Sequence, residues 1–198
     1  MNNQAGKKIG NSTGIFLLSF ERELMEDLRY PIGPFQPKSP LTESERKQLI
    51  RQIAETPSLL RKAIANLDDA KLDTPYRPGG WTVRQVVHHL PDSHLNSYVR
   101  FKLALTEHEP TIRPYEQQQW AEMPEAKNAP VDISLDLLET LHRRWVIVLE
   151  HLSPADFART LLHPESGTMN LDRLLQLYAW HGRHHVAHIT ELRKRNGW

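Results

Sequence analysis

Residues 171–192 read LDRLLQLYAWHGRHHVAHITEL and place His181, His184, His185 and His188 within about two helical turns. Imidazole is the side chain whose charge changes near neutral pH, and its neutral form is a common ligand for divalent metals. At about 100° per residue, Leu174, Leu175, Leu177, Tyr178, Val186, Ile189 and Leu192 share one broad apolar face, which must be buried. His181 and His185 lie inside that face, four residues apart. Side chains at that spacing stand one above the other and can grip a single ion. His188 falls near the edge of the face, and His184 turns toward the polar side with Arg183 and Glu191. A lone histidine on an apolar face is ordinarily a packed, hydrogen-bonded residue. Several on one face are harder to explain that way, because each buried nitrogen needs a partner.

A second cluster lies in WTVRQVVHHLPDSHLNSYVRFKLAL, residues 81–105. Thr82 and Gln85 form a capping box that starts a helix at Val83. Val83, Val86, Val87, Leu90 and Phe101 mark its buried face, with His94 near the centre and His88 and His89 on either flank. Pro91 deletes one backbone hydrogen bond and kinks the helix, so periodicity does not choose among the three histidines. Three imidazoles from two helices would leave a coordination position open, the pattern of catalytic rather than structural zinc. Water bound there has its pKa lowered toward ~7, and a bound thiol is deprotonated in the same way. The 181–185 pair is not the metalloprotease motif, since Gly182 stands where that motif has its glutamate. Proton transfer therefore falls to another group, with Asp92 as a candidate base and His188 or His184 as proton shuttles. The plainer reading of Asp92 is a surface carboxylate or one bonded to a ligand histidine. Trp81 and Trp180 adjoin the histidine clusters, where they could line a pocket, and Trp120 lies in a connection that could close over the site. Core packing is the default reading for all three. Arg100 and Arg113 could bind an anionic substrate, with solvated surface the default.

The elements that must position these groups are readable in outline. A chain of 198 residues suits one domain with a full core. Lys and Arg number 25 against 24 Asp and Glu, a net charge of +1, which gives no footprint for nucleic acid or a membrane surface. No apolar run approaches the ~18 residues of a membrane span, and the short apolar stretch at 15–20 is too brief for a secretory signal. These features read as a cytoplasmic protein acting on a small molecule. There is no cysteine, which excludes disulfides, thiolate metal sites and a cysteine nucleophile; any thiol chemistry must use a co-substrate's sulfur.

Residues 1–29 form a polar extension expected to be disordered, with Met25 as an alternative start. Four prolines in residues 30–40 predict an extended surface arm. Thr42 and Glu45 form a capping box opening a helix to about residue 66. Residues 107–130 make a long connection, with a short helix near 116–122, of a length that often borders a site. Leucine periodicity predicts a third long helix over 134–152, residues 160–169 read as a small hairpin, and Asn170 caps the last helix. Four long helices with one apolar face each predict an all-α four-helix bundle over residues 30–198.

The stretches YPIG (30–33), LDTPYRPGGWTVRQVVHHLPDSHLNSYVRFKLALTE (72–107), IRPY (112–115) and YAWHGRHHVAHITEL (178–192) resemble the YfiT-like metal-dependent hydrolases of the DinB-like superfamily. The resemblance implies an up-down-down-up four-helix bundle, usually a homodimer, with one nickel or zinc ion on three histidines. Carried over by position, these are His89, His181 and His185; the last two agree with the helical wheel, and His89 is chosen by resemblance alone. Gly182 and Arg183 fall in a part of the motif that looks tolerant. The implied activity is hydrolysis by activated water. Superfamily relatives also resemble thiol-dependent transferases, so bacillithiol S-transfer and a non-enzymatic metal-binding stress-response role are the alternatives.

Overall fold

The computed structural model describes residues 28–198; the expectations for the N-terminal extension fall almost wholly outside that range. In chain order the elements are α1 (Glu43–Ile64), α2 (Asp69–Leu72), α3 (Val83–Thr106), α4 (Gln117–Ala121), α5 (Pro124–Asn128), α6 (Val131–Glu150), α7 (Pro154–Phe157), a hairpin of β1 (Thr160–His163) and β2 (Gly167–Asn170), and α8 (Leu171–Asn196).

The helix starts follow from their caps. Thr42 accepts a hydrogen bond from the Glu45 amide, and the Glu45 carboxylate accepts from the Thr42 amide at 2.8 Å. Thr82 and Gln85 repeat the arrangement at α3, and Asn170 accepts from the Arg173 amide at 2.9 Å at α8. Each such cap contributes about 1 kcal/mol. Helix α8 ends on Gly197 at φ +68°, where a Cβ would be strained. Helix α6 begins earlier than leucine spacing suggests, because Pro130 precedes its first turn and no side-chain cap marks the start.

Side-chain bonds fix the directions. Arg46 forks onto Asp172 with two 2.7 Å contacts at the start of α1 and α8, while Arg193 reaches the Ala63 carbonyl at their far ends, so α1 and α8 run parallel. His88 meets Ser134 and His94 meets His142, so α3 and α6 are parallel too. Arg61 at the end of α1 pairs with Asp136 at the start of α6, making those two antiparallel. His89 and His94 face His181 from the opposing direction of α3. The result is an up-down-down-up bundle.

The core has two apolar clusters. One gathers Ile53, Phe101, Trp145, Leu174 and Leu175; the other gathers Leu60, Val86, Leu90, Leu138 and Ile189. Each fully buried side chain of this kind stabilises by about 1.5–3 kcal/mol. Polar residues separate the clusters on every long helix: Thr56 on α1, His94 on α3, His142 on α6, and His181 and His185 on α8.

Candidate metal centre

At mid-height of the bundle, His89, His181 and His185 each offer one ring nitrogen within 4.8 Å of the other two. His181 Nε2 lies 3.4 Å from His89 Nε2 and 3.2 Å from His185 Nε2. Nitrogens bound to one zinc at 2.0–2.1 Å with tetrahedral angles stand about 3.3 Å apart, so these two spacings already match a shared ion. Burial disfavours the charged imidazolium: the pKa of His89 is pushed down to about 3, and those of His181 and His185 fall well below the usual range. All three are therefore neutral near pH 7, the state metal ligation requires. His185 Nδ1 is buried with no partner among the described residues.

A line of imidazoles behind the triad sets the His181 tautomer. The Ile53 carbonyl can only accept, so His142 Nδ1 carries the proton and donates to it at 2.7 Å. His142 Nε2 is then bare and accepts from His94 Nδ1 at 2.8 Å. His94 Nε2 in turn accepts from His181 Nδ1 at 3.1 Å. The sequence of donors leaves His181 Nε2 with its lone pair toward His89 and His185. Burial keeps the relay neutral, with His142 pushed down to about 4. Sequence reasoning weighed His94 as a ligand and had no signal for His142, whose single occurrence on α6 fits an ordinary core position.

The structure separates the three histidines that periodicity left open. His88 is committed elsewhere: one nitrogen meets Ser134 Oγ at 2.7 Å and the other the Ala129 carbonyl at 3.2 Å, pinning α3 to α6. His94 supports His181, and His89 joins the triad.

A cavity of about 430 Å³ opens over the triad, lined by His181, His185 and His188 together with Trp81, Trp180 and Arg77. Trp81 and Trp180 are thus walls of the site, the alternative to the default reading of core packing. His188 is buried in this wall, its Nε2 3.0 Å from His184 Nε2. The Asp92 carboxylate accepts no hydrogen bond from any histidine among the described residues, and it is absent from the cavity wall. Burial, with Glu125 nearby, raises its pKa to about 6.

His184 departs from the wheel reading, being buried rather than facing solvent. The proline-rich arm explains it: the Trp180 indole donates to the Gly33 carbonyl at 3.2 Å, and Tyr30 lies 6.0 Å from the His184 ring. The arm thereby covers the side of α8 that periodicity assigns to water. Gly182 is also no tolerant position. A Cβ there would stand 2.7 Å from the Thr56 side chain, so glycine permits the close approach of α1 and α8. The long connection borders the site as expected, with Gln118 accepting from Trp81 Nε1 at 3.1 Å. Trp120 packs at a tilt against Tyr115 instead, ring centroids 4.7 Å apart, and is 39% exposed.

Comparison with known proteins agrees with this geometry. The model of the DinB superfamily matches residues 52–189. A Bacillus cereus protein named "Putative metal-dependent hydrolase" is 59% identical over 174 residues, which is 88% of this chain and 100% of the relative. A similarly named protein of Bacillus thuringiensis subsp. konkukian matches to the same extent. Among solved structures, YfiT from Bacillus subtilis, described as a "probable metal-dependent hydrolase with an unusual four-helix bundle topology", superposes with TM-score 0.85 at 48% identity, over 87% of this chain and 99% of its own.

Proposed function

From the premise that this chain belongs to the DinB superfamily, in its YfiT-like branch, we propose that it is a metal-dependent hydrolase of a small molecule, with one zinc or nickel ion held by His89, His181 and His185. The observation that carries this reading is the spacing of the three neutral nitrogens beneath an open cavity. A divalent cation there supplies Lewis acidity and brings the pKa of a water toward neutrality. The chain's own residues do the rest. His94 and His142 hold His181 in the liganding tautomer. The indoles of Trp81 and Trp180 wall the cavity. His188 lines that cavity and Asp92 does not, which favours His188 of the two candidates as proton acceptor.

The test pairs metal analysis with turnover. Purified wild type should carry one zinc or nickel ion per chain and hydrolyse a member of an ester and amide panel, both properties being lost in His185→Ala. Metal retained by that variant would sink the ligand assignment. Supplying bacillithiol and a chromogenic electrophile in parallel distinguishes the reaction class: conjugation without hydrolysis would replace the hydrolytic reading by thiol transfer.

A further inference from the structure

On the other side of His181 lies a second cavity of about 450 Å³, to which His181, Gln117 and Gln118 are common with the first. Its far wall comes from α3, the segment following it, and the hairpin. The chain after α3 is pinned to the hairpin by the Ile112 amide on the Leu162 carbonyl and the Leu162 amide on the Pro110 carbonyl, both at 3.0 Å. That pairing carries Tyr115 and His163 to the same opening as Arg100.

Arg100 is the unusual group. It is 8% exposed, although its sequence position reads as solvated surface. No carboxylate lies within 4 Å of its guanidinium among the described residues, and its one hydrogen bond is a 3.4 Å contact from Nη2 to the Arg113 carbonyl. The contrast with the other deeply buried arginine among the described residues is direct: Arg84 is held by Asp69 at 2.8 Å and by Asp73 at 2.6 Å. The Nε and Nη1 donors of Arg100 have no protein partner among the described residues, are not sealed from solvent, and belong to a side chain that lines the cavity, so they are available to an anion there. Tyr115 adds a second unmet donor. Its hydroxyl is buried without a partner, and Ser93 lies beside it outside hydrogen-bonding geometry. Burial pushes the phenol up to about 12, so it keeps its proton to donate. Glu116 and Glu165 also line the cavity but are exposed and unpaired with Arg100.

We propose that this second cavity is an anion-recognition subsite, in which Arg100 and Tyr115 bind a carboxylate or phosphate oxygen pair of the substrate. A planar guanidinium fork matches such a group with two parallel N–H···O bonds. Resting on the reading of the triad as the reaction centre, the proposal defines the substrate class: a small organic anion whose charged group sits beside Tyr115 while its scissile bond reaches past His181.

Binding and turnover separate the two claims. Metal-free full-length protein is titrated with acetate and, separately, with inorganic phosphate, following the Arg100 side-chain and Tyr115 ring resonances by NMR. Saturable shifts at both residues are expected, with Kd raised tenfold or more in Arg100→Gln and severalfold in Tyr115→Phe. The anion that binds more tightly assigns the group as carboxylate or phosphate. Should Arg100→Gln not fold, Arg100→Lys, which keeps the charge but loses the fork, carries the test together with Tyr115→Phe. Metal-loaded enzyme should also prefer an anionic ester to its neutral methyl-capped counterpart in kcat/KM, a preference collapsing in Tyr115→Phe. Saturable anion binding with no hydrolysis of any ester would leave the subsite standing and remove the hydrolytic reading. Absence of saturable shifts in wild type, or equal Kd in wild type and variants, would overturn the subsite.

Discussion

At either end of the bundle the four long helices meet through aliphatic and aromatic side chains, Leu60, Val86, Leu138 and Ile189 at one end and Ile53, Phe101, Trp145 and Leu175 at the other. At mid-height the same helices meet through Thr56, His94, His142 and His181. The ends are held by area removed from water, a non-directional force that tolerates exchange of one apolar shape for another of similar volume. The waist is held by donors and acceptors in sequence, where removing one member strands its neighbour in a medium that cannot solvate it. A fold that needed only stability would continue the leucines through the middle. The polar layer is a cost accepted for the site it positions.

The largest expected effect comes from cutting the waist at a ligand. His181→Ala should lower metal affinity by several orders of magnitude, since one of three nitrogens is lost, and equilibrium dialysis with zinc reads it directly. The opposite region supplies the contrast. Leu138→Ala removes a fully buried side chain and should cost about 2–5 kcal/mol of unfolding free energy, while the folded variant still binds one ion per chain with wild-type affinity. If Leu138→Ala lost metal as severely as His181→Ala, the division between ends and waist would collapse.

Acid sharpens the same division. Burial depresses the pKa of His142 in the folded protein to about 4, against an ordinary 6.5 when unfolded. Below pH 6.5 the unfolded chain takes up a proton that the folded one refuses, so stability falls with pH. The contribution is fully present above pH 6.5, declines toward pH 4 and is spent below it. It amounts to about 3 kcal/mol at most. Urea unfolding of metal-free wild type and His142→Gln at pH 7 and pH 4 should show the wild-type margin shrinking by that order. A margin independent of pH would refute the buried neutral state of His142.

The ends of the bundle were more legible in the sequence than its waist, for a physical reason. Leucine and valine repeats report directly which face is buried, and the capping boxes at Thr42 and Thr82 mark where two helices begin. His181 and His185 were legible because they share a turn of one helix. His142 was not, because its partners, Ile53 and His94, come from other helices. Arg100 and His184 defeated periodicity for a related reason. Their covers are the segment after α3 and the proline-rich arm, and a helical wheel knows nothing of irregular chain.

The smallest effect tests the relay without touching a ligand. His94 bonds His142 on one side and His181 on the other and is fully buried. His94→Phe keeps a ring of comparable breadth there but removes the acceptor for His181 Nδ1–H. With no acceptor, the proton has no reason to stay on Nδ1, and the liganding lone pair on Nε2 is no longer enforced. Loss of such a partner typically weakens metal binding 10–100-fold, or about 1.4–2.7 kcal/mol. Competition against a zinc chelator measures the affinity, and ¹⁵N shifts of the His181 ring measure the tautomer, which a purely packing role for His94 would leave unmoved. Unchanged affinity together with an unchanged Nδ1–H tautomer in His94→Phe would reduce the imidazole line to core packing, and the waist would then be defined by its three ligands alone.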